Sequence, residues 1–148
     1  MSLKLLFEEN DELILDSSIP IAYLMNEKKQ LTSLLDTFVF NEDSSIIIYN
    51  HRLSLTEIYY IICRKKSREE AKKVLKNLEN IWNIISTRWL FEKASIIKCQ
   101  FAISLPDCFS ISLGIFQNCP ILFLEEKELS DKIVKQISNE FSAKIKII

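Results

Sequence analysis

The sequence predicts an α/β fold, a three-layer sandwich around a central, mainly parallel, five-stranded sheet. Three observations predict it. First, the short apolar runs Leu13–Leu15, Ile46–Tyr49, Trp82–Ile85, Ile121–Leu124 and Ile145–Ile148 are rich in isoleucine and do not alternate with polar residues. Strands covered on both faces read this way, because neither side of the sheet meets water. Second, helical periods fill the intervals, in the order strand, two helices, strand, two helices, strand, two helices, strand, helix, strand. Such alternation favours parallel strands joined by right-handed crossovers. Third, no linker, repeat or low-complexity segment interrupts the 148 residues, so 1–148 reads as one domain.

Each helix has its own signal. "SIPIAYLMNE" (18–27) carries Pro20 near a helix start. "QLTSLLDTFVF" (30–40) repeats apolar residues at Leu31, Leu34, Leu35 and Phe38. "RLSLTEIYYIICRK" (52–65) stacks Leu53, Glu57 and Ile61 on one face, with Leu53 and Ile61 as core-seeking residues. "SREEAKKVLKNLENI" (67–81) opens with Ser67 and Glu70 in capping-box spacing, and Ala71, Val74, Leu75 and Leu78 form its stripe. "TRWLFEKASIIKC" (87–99) offers Leu90, Ala94 and Ile97. "LPDCFSISLGIFQN" (105–118) begins at Pro106 and closes at Asn118, which tolerates the left-handed conformation. "SDKIVKQISNEF" (130–141) contributes Ile133, Ile137 and Phe141.

Composition excludes several functions. Apolar residues make up 48% and charged residues 26%, as in ordinary globular proteins. A net charge of −1 gives no global positive field for nucleic acid, and leaves room for a local basic patch. No apolar run reaches the length of a membrane span, and "MSLKLLFEEN" is too acidic, with too short an apolar core, for a signal peptide. A cytoplasmic protein with no membrane partner is expected. Cys63, Cys99, Cys108 and Cys119 show no CxxC spacing, and His51 is the sole histidine. Zinc is therefore disfavoured, and the thiols read as reduced and buried. His51, in the polar stretch "YNHR", reads as a surface residue. The single glycine, Gly114, excludes a P-loop, a dinucleotide fingerprint and a nucleophile elbow. Triad chemistry would have to pass through His51.

What remains is a set of acids. Asp16 directly follows the first strand, where parallel sheets bind ligands, and equally where an acid caps the next helix. Glu57 interrupts an apolar face. Such a carboxylate must be paired with Arg64 or Lys65, rotated to solvent, or bound to a cation. Asp107 shares a face with Ile111 and Ile115, and lies in a first helical turn, where the dipole also favours it. Glu125 and Glu126 follow the fourth strand, as an acidic loop or as ligands. If these acids converge, they repel one another and each pKa rises unless a cation sits among them. Oxygen-only donors favour Mg²⁺ or Mn²⁺ over zinc, and a hard cation held by carboxylates suits phosphodiester hydrolysis.

Together, "LILDSSIPIAYL", "SLTEIYYIICRK", "ISLPDCFSISLGIFQNCPILF" and the closing "AKIKII" resemble PIN domains, specifically the small VapC-type toxin ribonucleases. The resemblance runs from about Leu13 to the C-terminus and rests on the order and spacing of the acid-bearing segments. It implies a sheet in the order 3-2-1-4-5. It implies Asp16, Glu57 and Asp107 as catalytic metal ligands, with Glu125 (preferred by distance from Pro120) or Glu126 as the fourth acid. Ser17 and Ser18 match the family's small hydroxyl and Asn positions. Residues 1–12 precede the usual family start, and "LKLLF" is expected to add a strand or a contact arm.

The resemblance further implies a homodimer and a small antitoxin protein that enters the acidic groove. The leading reading is an endoribonuclease whose RNA substrate is held by Arg52, Arg64, Lys65, Lys66 and Arg68, although "RKKSR" also reads as a solvated helix junction. A non-catalytic PIN-like RNA- or protein-binding module competes with it. A phosphatase-like or flavodoxin-like protein lacks its phosphate loop. A receiver domain would carry its phosphoacceptor Asp later in the strand order.

Overall fold

In the computed structural model, which describes residues 2–148, the chain begins with a helix. α1 (Leu3–Glu9) is capped by Ser2, whose hydroxyl accepts the Leu5 N–H. The expectation of a strand at "LKLLF" is thereby corrected. Leu3, Leu6 and Phe7 have the i, i+3, i+4 spacing of a helical stripe, and Leu6 and Phe7 are buried.

The remaining elements are β1 (Glu12–Leu15), α2 (Ser18–Leu24), α3 (Lys29–Phe38), β2 (Ile47–His51), α4 (Arg52–Lys65), α5 (Arg68–Ile81), β3 (Asn83–Ile85), a 3-10 turn (Thr87–Trp89), α6 (Phe91–Gln100), α7 (Leu105–Gln117), β4 (Ile121–Phe123), α8 (Asp131–Phe141) and β5 (Ile145–Ile147). Among the described residues, eight helices flank one five-stranded sheet of order β3-β2-β1-β4-β5. Every strand pair is parallel. The sheet is thus wholly rather than mainly parallel.

The layers follow from alternation along the central strands. Leu13 and Leu15 of β1 join one core with α1 to α5, while Ile14 joins the other with α6 to α8. In β4, Leu122 faces the first core and Ile121 and Phe123 the second. These side chains are fully buried, each contributing roughly 1.5–3 kcal/mol relative to exposure. This double covering is why the strand runs are apolar without alternation.

Several boundaries differ from expectation. Trp82 caps α5 instead of starting β3. α2 stops at Leu24 because Asn26 turns the chain with φ 52°. The expected helix 87–99 breaks at Leu90 into the 3-10 turn and α6. With one glycine available, other left-handed positions fall to Asn118 (φ 54°) and Ser142 (φ 57°). The four thiols are free as expected, but only Cys108 and Cys119 are buried, and Cys99 is exposed. No helix among the described residues is long and apolar enough to cross a membrane.

β1 pairs with β2 on one side and β4 on the other, so the strand order reverses at β1. That switch point opens a crevice beyond the carboxyl ends of β1 and β4, where open α/β sheets bind ligands.

Candidate metal centre

A cleft of about 630 Å³ occupies this crevice. Asp16, Glu57, Asp107 and Glu126 all line it.

Asp16 follows the last residue of β1 and is 3% exposed. Its Oδ2 accepts the Ser18 backbone N–H at 3.1 Å and the Ser18 hydroxyl at 2.9 Å. Its Oδ1 accepts the Ser110 hydroxyl at 3.2 Å. One oxygen thus serves the first turn of α2 and the other meets α7. The Ser18 hydroxyl also accepts the Leu124 N–H at 3.3 Å, tying the end of β4 to Asp16.

Glu57 reaches the cleft because α4 is rotated from the expected orientation. Its buried stripe is Ser54, Leu55, Ile58 and Ile62, whereas Leu53, Glu57 and Ile61 are half-buried. Leu53 packs against the edge of the second core, while Ile61 lines the cleft beside Glu57. The ion-pair partners considered for Glu57 are engaged elsewhere. Lys65 pairs with Glu27 at 3.7 Å, and Arg64 lies over the Tyr60 ring at 5.1 Å. Ser17 lines the cleft beside Glu57, whose Oε2 is buried without a partner.

Asp107 stands in the first turn of α7, whose cap Ser104 accepts the Asp107 N–H at 3.2 Å. It is 5% exposed, and its Oδ2 is buried without a partner. After β4 the two candidate acids separate. Both are exposed, but Glu126 lines the cleft with Asp107, whereas Glu125 is absent from the lining. The Glu125 N–H is pinned to the Ile148 carbonyl at 3.0 Å.

Crowding shows in the acid strengths. Burial raises the Asp16 pKa, and the Ser18 and Ser110 hydrogen bonds pull it back. Burial and then the Asp16 charge push Glu57 up to about 7. The same causes push Asp107 up to about 8 and raise Glu126. Carboxyl groups that resist ionisation, with two orphaned oxygens facing one cleft, fit a hard divalent cation. Among the described residues, no three acidic, His or Cys side chains stand close enough to hold one ion without adjustment.

The basic candidates divide. Arg64 and Lys65 line the cleft. Arg52 pairs with Glu79 on α5 instead. Lys66 and Arg68 are exposed at the α4–α5 junction, outside the lining.

Sequence reasoning missed two residues behind Asp16. His51, expected at the surface, is fully buried, and burial lowers its pKa to about 4. It is the cap of α4: Nδ1 accepts the Ser54 N–H at 3.2 Å, and Nε2 lies 3.0 Å from the Ser110 Oγ. A cap position and a serine inside the apolar "CFSISLG" were the available signals.

No model of a known protein family and no curated protein sequence matches the chain. Solved structures do. A chain of VapBC2 from Rickettsia felis, bound to a DNA fragment from their promoter, matches with a TM-score of 0.63 at 16% identity, over 93% of this chain and 98% of that one. DNA-bound VapBC from Salmonella typhimurium matches with a TM-score of 0.63 at 10% identity, over 92% and 97%. VapBC-1 from nontypeable Haemophilus influenzae gives 0.60 at 13% identity, over 92% and 97%. At such identities the likeness is one of fold, and that fold is PIN-like.

Proposed function

We propose that the chain is a metal-dependent endoribonuclease, acting in the cytoplasm as the toxin of a toxin–antitoxin pair. One observation carries the reading: acids from β1, α4, α7 and the segment after β4 line a single crevice, and two of them keep buried, unpartnered oxygens. Mg²⁺ or Mn²⁺ would be held by Asp16, Glu57, Asp107 and Glu126, with Glu125 as the alternative fourth acid. The ion, when bound, supplies an activated water and stabilises charge on phosphorus and the leaving oxygen.

The rest falls to the chain. Asp16 is held by Ser18 and Ser110, so its carboxylate need not reorganise. Glu57 and Asp107, whose pKa values rise to about 7 and 8 in the metal-free cleft, are the groups that would give up protons as a cation enters. Arg64 and Lys65 draw phosphates to a rim that is otherwise acidic. Single-stranded RNA fits, because no reader of base edges is needed for phosphate recognition.

Two partners accompany the reading. The matched structures are VapBC complexes, and another match is a toxin–antitoxin complex from Klebsiella pneumoniae. A small antitoxin with basic side chains would suit the acidic groove. A homodimer is supported by exposed Trp89, Ile96 and Phe116, which line one hollow with Glu92 and Lys93. A two-fold contact would match apolar to apolar and pair those opposite charges.

The test is cleavage of a panel of RNAs with added Mn²⁺. Cleavage that stops with chelator, and in Asp107→Asn, supports the enzyme. A PIN-like binding module without catalysis is favoured by the acids standing too far apart to chelate as they are. RNA or protein binding unchanged by chelator, without cleavage, would select that second reading.

A further inference from the structure

A buried chain of hydrogen bonds runs from the backbone of α4 to the first acid of the cleft. The Ser54 N–H donates to His51 Nδ1 at 3.2 Å. His51 Nε2 lies 3.0 Å from Ser110 Oγ, and Ser110 Oγ lies 3.2 Å from Asp16 Oδ1. His51 and Ser110 are fully buried, and Asp16 nearly so.

Each donor along this chain has one consistent direction. A backbone N–H can only donate, so Nδ1 is an acceptor and carries no proton. The neutral imidazole therefore holds its proton on Nε2. Nε2 must donate, and Ser110 Oγ must receive. The hydroxyl proton of Ser110 is then left for Asp16 Oδ1. No water is needed to complete the relay, and the histidine stays neutral because it is buried.

The count at Asp16 makes this matter. Both acceptor positions of Oδ2 are taken by Ser18. Oδ1 has one position taken by Ser110 and one left. An ion in the cleft would have to meet Asp16 through the oxygen that the relay holds.

We infer that His51 and Ser110 are positioning residues: they fix Asp16 Oδ1, and with it the single lone pair that Asp16 can offer to a divalent ion. Neither residue touches the ion or the RNA. The inference rests on the metal-site reading above and adds residues from β2 and α7 that the cleft itself does not display.

Mn²⁺ binding to the full chain, measured by titration calorimetry at neutral pH, tests it without reference to activity. The variants are Asp107→Asn, Ser110→Ala, His51→Phe and His51→Gln. Outer partners of this kind carry roughly 10–100-fold in metal affinity. Ser110→Ala and His51→Phe should weaken Mn²⁺ binding by about that factor. His51→Gln keeps an N–H donor toward Ser110 and should restore binding that His51→Phe loses. A residue that only fills space would show the opposite order, because phenylalanine keeps the ring and glutamine does not.

Ser110→Ala removes one oxygen and leaves the packing of α7 in place, so it decides the matter should the His51 variants fail to fold. Wild-type affinity in Ser110→Ala, with Asp107→Asn still losing the ion, overturns the relay alone. A wild-type chain that binds no Mn²⁺ overturns the relay and the metal site together.

Discussion

Asp107 and Glu126, from α7 and the segment after β4, line one cleft, and the Glu126 charge adds to the burial and the Asp16 charge that raise the Asp107 pKa. A divalent ion would relieve that repulsion and compete with protons for the same oxygens. Glu126→Gln should therefore lower Mn²⁺ affinity at least as much as loss of an outer partner does, roughly 10–100-fold. Glu125→Gln should bind as wild type, because Glu125 faces away from the lining. Calorimetric titration of the two single variants reads the difference, and a larger loss at Glu125 would move the fourth acid there.

Acidity should set the stability of the metal-free chain. Glu57 and Asp107 hold their protons up to about 7 and 8 in the folded state, and lose them nearer 4.5 and 3.8 when unfolded. Folding thus takes up protons between those values, and stability falls as pH rises through them. His51 acts in the opposite sense, since its pKa drops from 6.5 to about 4 on folding, so its contribution is lost as pH falls below 6.5. From pH 6.5 to 8 the carboxyl groups dominate. With chelator present, Tm should drop by several degrees across that window, and saturating Mn²⁺ should remove the drop. A flat metal-free profile in a thermal melt would contradict the crowding of acids.

Glu57→Gln separates function from stability. It removes a charge that burial and Asp16 oppose, so the metal-free variant should be as stable as wild type or more so, by about 1 kcal/mol. Its Mn²⁺ affinity should fall. Urea unfolding and Mn²⁺ titration of the same sample give both quantities. Unchanged metal affinity with a large stability loss would mean a structural ion pair.

RNA engagement should distinguish the basic residues. Arg64→Ala and Lys65→Ala should raise KM and each reduce the salt slope of binding by about 1, with little effect on kcat. Lys66→Ala and Arg68→Ala, outside the cleft, should change little. Filter binding at several salt concentrations measures the slopes.

Gly114 should resist substitution. The α7 backbone there packs so closely on β4 that an added Cβ would overlap the Ile121 side chain. Ile121 is fully buried and cannot swing into solvent. Gly114→Ala should destabilise the chain by about 1–3 kcal/mol in denaturant melts, despite alanine's better helix propensity.

The sheet was legible in the sequence because burial on both faces leaves uninterrupted apolar runs. Leu13–Leu15 and Ile121–Leu124 match β1 and β4 to within one residue. The ends were less legible. Trp82 left its strand for a cap, and α1 was hidden by its brevity. Asp16, Glu57 and Asp107 stood out because acids beside apolar residues cost free energy unless something offsets them. The choice between Glu125 and Glu126 was not legible, since neighbours in a loop carry no period. His51 and Ser110 escaped because their meaning lies in a contact between β2 and α7, and on to β1, which no local pattern encodes.

The N-terminal helix has a practical consequence. Phe7 stacks on Phe38 of α3 at 5.6 Å, and Leu6 sits in the same core as β1. Trimming the chain to its acid-bearing elements would strip a lid from that side and leave an oily window open to solvent. Shortened versions beginning near residue 12 should accordingly clump on expression, while the chain that keeps α1 stays dispersed.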